Sequence, residues 1–352
     1  PGPSGGLAGD PEGARKEVKV PESWLPKSVL GLRAYDRGWL GGDLVAGLTV
    51  GLVVLPLAMA FAISSGMPPE AGIYCAVVAG FLISALGGSM VQIGGPTGAF
   101  VVVVASIVER HGPDGLFMCT LLAGLMLLGL GLSGLGATVK FIPRSVVIGF
   151  TNGIAVLIAS TQIKDFFGLQ TPEHGGEFLA RMGALAASWQ TAALVPSLLA
   201  LGSLLAIVGI GKLSKRVPGT VIAMLGGTVL SFVLKLPVET IATRFGEIPS
   251  GLPKLQIPAF RADLILPLLS PAITVAMLGA IESLLSAVVA DRMSGDRHNP
   301  NVELAAQGVA NVVSPLFGGL PATGAIARTA TNVRSGARTP VAGMVHALVL
   351  LA

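Results

Sequence analysis

Two stretches of this sequence carry the same unusual residues. Gly94-Gly95-Pro96-Thr97-Gly98-Ala99-Phe100 is echoed by Gly318-Gly319-Leu320-Pro321-Ala322-Thr323-Gly324-Ala325-Ile326, with Gly-Gly, Pro and Thr-Gly-Ala in common. Glycine and proline interrupt regular structure, and the helix that follows opens with amides that have no intrahelical acceptor. Such an opening, at the positive end of the helix dipole, binds an anion. Thr97, Gly98, Ala99 and Phe100 in the first copy and Thr323, Gly324, Ala325 and Ile326 in the second are therefore candidate anion contacts. One helix end contributes about 0.3–1 kcal/mol, up to roughly 2 when partly buried, whereas dehydrating an anion costs more. A cation is needed as well, and Arg328, four residues past Gly324, supplies one about a turn into the second helix. The competing reading of Arg328 is a side chain that snorkels to the surface. Its apolar setting favours a site, because an intramembrane charge is functional by default.

Glu282 lies well inside the apolar run Leu264 to Ala290, where a charged carboxylate costs about 2.5–3.5 kcal/mol. Gly279, Glu282 and Ser286 fall on one helical face and form a small-polar stripe that can line a cavity. There Glu282 carries a coupling proton or pairs with Arg328; the competing reading is a structural carboxyl. In Val54-Leu55-Pro56-Leu57-Ala58-Met59-Ala60-Phe61-Ala62, Pro56 predicts a kinked helix beside a cavity, with Leu57 and Phe61 as candidate walls against plain packing. His346 sits alone on an apolar run and reads as packing; Lys164 and Asp165 end a span and read as a solvated interfacial pair. Gly47 with Gly51, and Gly149 with Gly153, have the spacing of close helix contacts inside a bundle. There is no metal-ligand cluster, phosphate loop or Ser/His/Asp set, and no cofactor is implied.

The elements that must position these residues are membrane helices. Of 352 residues 52% are hydrophobic and 12% charged, too few charges to coat a soluble domain of this size. At roughly 20 apolar residues per crossing, spans fall near 43–63, 70–88, 114–134, 145–164, 190–210, 217–235, 264–290 and 303–318. The runs near 97–109 and 324–334 are too short to cross and read as half-helices starting at Thr97 and Gly324. An odd number of crossings separates the two copies, so they are oppositely oriented: the signature of an inverted repeat. A last apolar run starts near 340 and stops partway through a span. Lys140, Arg144, Lys212, Lys215, Arg216, Arg334 and Arg338 cluster in alternate connections, which places those loops and the N-terminus in the cytoplasm. Pro1 to Val20 is polar and Gly-rich, without the apolar run of a signal peptide, and reads as a cytoplasmic tail. The net charge of +4 is scattered rather than striped, which argues against nucleic acid as a partner. Cys75 and Cys119 lie in apolar runs without pairing and read as packing residues.

At these residues the sequence resembles the sulfate permease family of anion transporters, from Asp43 onward. The likeness rests on Gly47 to Ala62, Gly94 to Phe100, Phe141-Ile142-Pro143-Arg144-Ser145-Val146-Val147-Ile148-Gly149-Phe150-Thr151-Asn152-Gly153 and Gly279 to Asn332. The last includes Glu282-Ser283-Leu284, Asn299 to Leu304, Phe317-Gly318-Gly319 and Arg328-Thr329-Ala330. The resemblance implies an all-α polytopic membrane fold, an inverted repeat of seven plus seven segments, with each half-helix preceded by a short extended strand. It implies a cytoplasmic N-terminal segment over 1–38 and a transport domain over 39–352. Within the latter, 43–136 and 260–352 are core and 137–236 is gate. It further implies a multi-pass protein of the cell inner membrane, a homodimer, a cytoplasmic STAS domain outside this chain, and a substrate site between the third and tenth segments. Leu57 stands where members often carry Gln, and Ala325 and Ala327 where they often carry Ser. Fewer side-chain donors leave bicarbonate or a small carboxylate such as a dicarboxylate open beside sulfate.

The expected function is secondary active anion transport by alternating access, with a proton as coupling ion through Glu282. The alternatives are an electrogenic anion channel, a chloride/bicarbonate exchanger and, further off, a nucleobase transporter. An enzyme is not expected, since no nucleophile has an activating base.

Overall fold

A computed structural model describes residues 24–136, 144–171, 178–213, 219–246, 253–255 and 261–352. The polar tail over 1–20, Lys140, Lys215, Arg216 and the Phe141-Ile142-Pro143 part of the resemblance lie outside the described residues.

The chain starts with a short helix α1 (Lys27–Arg33), then α2 (Leu40–Ser64) and α3 (Pro69–Leu86), the latter opened by a proline at its first position. A two-residue strand β1 (Gly94–Gly95) leads through a 3-10 turn at Gly98–Phe100 into α4 (Val101–Leu132). Backbone hydrogen bonding runs through α4, yet Gly112 (φ 70, ψ −178) followed by Pro113 breaks it. It is two helical runs joined at a break, which falls between the expected runs 97–109 and 114–134. Next come α5 (Arg144–Phe167), α6 (Phe178–Ala187), α7 (Leu194–Leu213), α8 (Gly219–Val233) and the single-turn α9 (Ile241–Phe245). The long α10 (Ile265–Ser294) ends on Gly295 in the left-handed region (φ 78). Then follow α11 (Pro300–Val313), capped by the Asn299 side chain, a second strand β2 (Thr323–Gly324), the half-helix α12 (Ile326–Arg334) and α13 (Val341–Leu351).

Among the described residues five helical stretches are long and apolar enough to cross a membrane: Arg37–Ser64, Pro69–Leu86, Gly98–Leu132, Leu194–Leu213 and Ala262–Ser294. Two expected spans are shorter than predicted: 217–235 contracts to α8, and 303–318 divides into α11 and a 3-10 turn over Ser314–Phe317. Helices α1, α6 and α9 were not expected. They lie in polar or mixed connections, where apolar periodicity is too brief to read.

Packing sorts the helices into two groups. Helices α2, α3, α4, α10, α11, α12 and α13 form a bundle around the crossing point of β1 and β2. Helices α5 to α8 pack mainly on one another at its flank, with α5 touching the turn at Gly98–Phe100. Glycine sets how closely the bundle closes. A Cβ added to Gly124 on α4 would lie 2.7 Å from the Val312 amide nitrogen of α11, and Gly131 and Gly308 meet main chain across the same interface. On α2, Gly47 and Gly51 face Val345, Val349 and main chain of α13, as their spacing predicts. Gly149 and Gly153 do not behave that way. Among the described residues nothing lies within 4 Å of either Cβ position, and both glycines are exposed, because that face of α5 points away from the bundle.

Asp43 is fully buried at the start of α2 and ties three segments together. Its carboxylate accepts from the Arg338 and Thr339 amides at 2.7 and 3.1 Å, the Thr339 hydroxyl at 2.6 Å and the Tyr35 hydroxyl at 3.2 Å. A buried carboxylate with that many donors is stabilised rather than stranded.

Candidate functional site

The two copied motifs meet. β1 and β2 pair antiparallel, Gly94 opposite Gly324 and Gly95 opposite Thr323, so the half-helices leave the crossing in opposite directions. They begin later than expected. Thr97 is extended and Gly324 belongs to β2, so the first half-helix opens at Gly98 and the second at Ile326 after Ala325. The reason is tertiary: the Ala325 amide donates to the Ile93 carbonyl at 2.9 Å, which prolongs the extended segment by one residue. The first bond of α12 runs from Thr329 to the Ala325 carbonyl, leaving the amides of Ile326, Ala327 and Arg328 ahead of it. At the other end Phe100 bonds back to the Thr97 carbonyl, leaving Gly98 and Ala99 as the open amides.

Arg328 is 4% exposed, which rules out snorkelling. One guanidinium nitrogen, Nη2, donates to the Pro96 carbonyl of the opposite motif. The other terminal nitrogen, Nη1, is buried without a hydrogen-bond partner. It lies 2.8 Å from where a Cβ on Gly95 would stand, so only glycine fits there; Gly95 also has φ 143. The guanidinium carbon is 5.8 Å from the centre of the Phe61 ring, within cation–π range. Phe61 in turn stands 3.2 Å from the Cβ position of Gly98. A cation, an aromatic face and two helix openings thus converge.

Glu282 reaches the first motif rather than Arg328: its carboxylate accepts from the Thr97 hydroxyl at 3.0 Å. The rest of its stripe turns the same way. The Gly279 carbonyl accepts from the Thr323 hydroxyl at 3.0 Å, and the Ser286 and Thr329 hydroxyls lie 3.0 Å apart. Helix α10 is therefore a rail against which both half-helices are registered.

Leu57, 39% exposed, and Phe61 line a pocket of about 160 Å³ with Val101, Ile158 and Thr161. Ile158 comes from α5, so the pocket lies where the bundle meets the flank. Three expected contacts are used elsewhere. The Thr323 hydroxyl and the Ala325 amide are both engaged, and the Phe100 side chain, 3% exposed, belongs to the hydrophobic core with Leu127 and Leu268. Lys164 and Asp165 do not pair with each other: Asp165 faces Arg244 at 3.8 Å, and Lys164 donates to the Thr171 carbonyl at 3.4 Å.

Sequence reasoning overlooked several buried polar residues around the crossing. Gln92 donates to the Ser283 carbonyl at 3.2 Å, Asn332 to the Val91 carbonyl at 2.9 Å, and the Thr329 hydroxyl accepts from the Ile93 amide at 3.1 Å. On α11, Glu303 accepts from the Gly88 amide and from Gln307, both at 2.9 Å, while Asn311 brackets Ala322 through bonds of 2.8 Å to its amide and carbonyl. The spacing of Glu303, Gln307 and Asn311, four residues apart on a short apolar helix, is the signal that marks them. His346 is buried against Gly80, and neither ring nitrogen has a hydrogen-bond partner, in keeping with packing alone. Among the described residues no group of His, Cys, Asp and Glu fits a metal.

Residues 40–352 match the sulfate permease family. The chain is 46% identical over 91% of its length to YvdB of Bacillus subtilis, which carries a provisional sulfate-transporter name. It is 37% identical over 89% of its length to the bicarbonate transporter BicA of a Synechocystis strain. It spans 60% and 56% of the lengths of these two relatives. The solved transmembrane domain of a cyanobacterial bicarbonate transporter BicA has a TM-score of 0.80 at 37% identity, covering 89% of this chain and 81% of that one. Murine Slc26a9, solved facing inward, reaches 0.85 at 19% identity over 97% of this chain and 61% of its own, a likeness of fold alone.

Proposed function

We propose, from the premise that this chain belongs to the sulfate permease family, that it is the membrane part of a secondary anion transporter whose substrate sits between the two half-helix openings. The observation that carries this reading is Arg328. A buried guanidinium with one nitrogen anchored on the Pro96 carbonyl and another unpartnered holds a charge that a small oxyanion neutralises. Bicarbonate and sulfate, named for relatives, are both small enough, and a small carboxylate presents the same two-oxygen edge. With alanine at 325 and 327, recognition falls to the amides of Gly98, Ala99, Ile326 and Ala327 around that charge.

Transport then follows from the packing. Both openings, Arg328 and α10 belong to one bundle, which the flank touches through side chains such as Ile158 of α5 over Gly98. The bundle acts as the moving core and the flank as the gate, the core carrying the anion past Ile158 as the two slide. The N-terminus and the Arg334–Arg338 loop face the cytoplasm of an inner membrane, and the working unit is a homodimer. Both remain part of the proposal and are testable by epitope accessibility and cross-linking.

Glu282 supplies the coupling. While it is ionised, the Thr97 hydroxyl donates to it; once it takes a proton, that hydroxyl is released toward the neighbouring opening at Gly98, where the anion binds. Proton and anion then bind cooperatively and cross together. The test is uptake of labelled bicarbonate or sulfate into proteoliposomes holding the full-length protein, with and without an inward-acid gradient. The gradient should accelerate uptake in the parent. In Glu282→Gln, anion uptake should continue but no longer respond to the gradient. Uptake indifferent to the gradient in the parent overturns coupling in favour of exchange or channel activity, and competition by uracil in place of anions overturns the anion site.

A further inference from the structure

A second cavity, of about 690 Å³, opens between the bundle and the flank where α2 and α5 end. Its walls come from α2 and α4 on one side and α5, α6 and α9 on the other. Three cations line it, and they are not equivalent. Arg244 faces Asp165 at 3.8 Å. Among the described residues Lys164 and Arg181 have neutral partners: Lys164 donates to the Thr171 carbonyl at 3.4 Å and Arg181 to the Ser160 hydroxyl at 3.3 Å. Both bonds are long enough to exchange readily for a better acceptor. Both side chains are half-buried, so each is partly desolvated, and among the described residues no carboxylate forms an ion pair with either. Glu109 lies on the opposite wall, exposed and on another helix. The cavity also leads inward, because Ser64 and Thr161 line both it and the pocket of Leu57 and Phe61.

Resting on the reading of the chain as an anion transporter, we infer that Lys164 and Arg181 form an outlying anion site, which a small oxyanion occupies before passing Phe61 to reach Arg328. Two cations of one sign on a low-dielectric wall concentrate counter-ions at the mouth of a cleft. The site belongs to the flank, so it stays in place while the bundle moves, and it loads one end of the route. Weak, replaceable neutral contacts suit a transient station, since a fully satisfied ion pair would neither attract nor release.

The site is tested without reference to transport. In the full-length protein, Ala184→Cys places a thiol on the cavity wall, while the native Cys75 and Cys119 are buried. The rate of modification by an anionic methanethiosulfonate reagent is divided by that of its trimethylammonium counterpart, in proteoliposomes labelled from each side. With Lys164 and Arg181 intact the ratio should exceed that in the Lys164→Gln/Arg181→Gln background by about fivefold or more. Sulfate or bicarbonate should slow labelling only in the intact background. Lys164→Gln alone should give an intermediate ratio, and Lys164→Arg should retain the parental one, which separates charge from misfolding. A ratio that ignores both substitutions, or a thiol that neither reagent reaches, overturns the site and leaves two cations that merely snorkel to an interface. If the ratio shifts while anion uptake is absent, the transport reading falls and the outlying site stands; where both hold, the glutamine pair should raise KM with little change in kcat and flatten the dependence on ionic strength.

Discussion

Around α11 in the bundle and on α5 and α7 in the flank, glycine is put to opposite uses. In the bundle a methyl group added at Gly88, Gly124, Gly131 or Gly308 runs into the main chain of a neighbouring helix. In the flank, at Gly149, Gly153, Gly202 or Gly209, it meets nothing within 4 Å among the described residues. Buried polar groups divide the same way. Asp43, Gln92, Glu303, Gln307, Asn311, Arg328 and Asn332 all lie in the bundle, whereas Ser160 on α5 is the flank's buried polar residue among the described ones and no residue of α7 is buried at all. Close main-chain approach and interhelical hydrogen bonds make a body that moves as one piece, while a thin layer of apolar helices can stay seated in lipid. Under the proposed transport cycle, that difference assigns the travelling part to the bundle and the standing part to the flank.

The comparison breaks first at Arg328. Replacing it with Gln should leave the protein folded, as judged by size-exclusion in detergent, and lower kcat/KM for anion uptake by about 100-fold or more, the loss of roughly 2.7 kcal/mol of charge-assisted binding. A folded Arg328→Gln protein with near-parental uptake would move the site out of the bundle. Next in size is Gly124→Ala, where the added methyl faces the Val312 nitrogen and cannot be relieved by a rotamer change. It should cost about 1–3 kcal/mol and lower the thermal midpoint of the purified protein by several degrees. The smallest effect is expected for Gly202→Ala on α7: unchanged stability, or a gain of up to about 1 kcal/mol from helix propensity. A clear loss at Gly202 would show that a further segment or a second copy covers that face, which would sharpen the account of the flank.

Part of the crossing was legible in the sequence because it is written in local chemistry. Gly94-Gly95-Pro96 and Gly318-Gly319-Leu320-Pro321 announce breaks ahead of helices, and Arg328 and Glu282 stand out as charges in apolar surroundings. What escaped is what depends on a partner far along the chain. The two Gly-x-x-x-Gly pairs have identical spacing, yet Gly47 and Gly51 face α13 while Gly149 and Gly153 face nothing. Spacing records that a helix can be approached, and only the tertiary arrangement decides whether it is. The start of α12 shifted for a like reason, since the acceptor of the Ala325 amide is the Ile93 carbonyl on the other repeat. Gln92 and Asn332 read as ordinary polar residues until the crossing sets them against the carbonyls of Ser283 and Val91.

The ladder between β1 and β2 has one more implication, for how such a protein changes its diet. In the proposed site, the span between the two helix openings is framed by paired peptide groups, Gly94 with Gly324 and Gly95 with Thr323. Side chains on the first turns, Ala325 and Ala327 among them, can drift over generations without altering that calliper. A lineage can thus retune which ion it prefers while the frame that measures the ion stays constant.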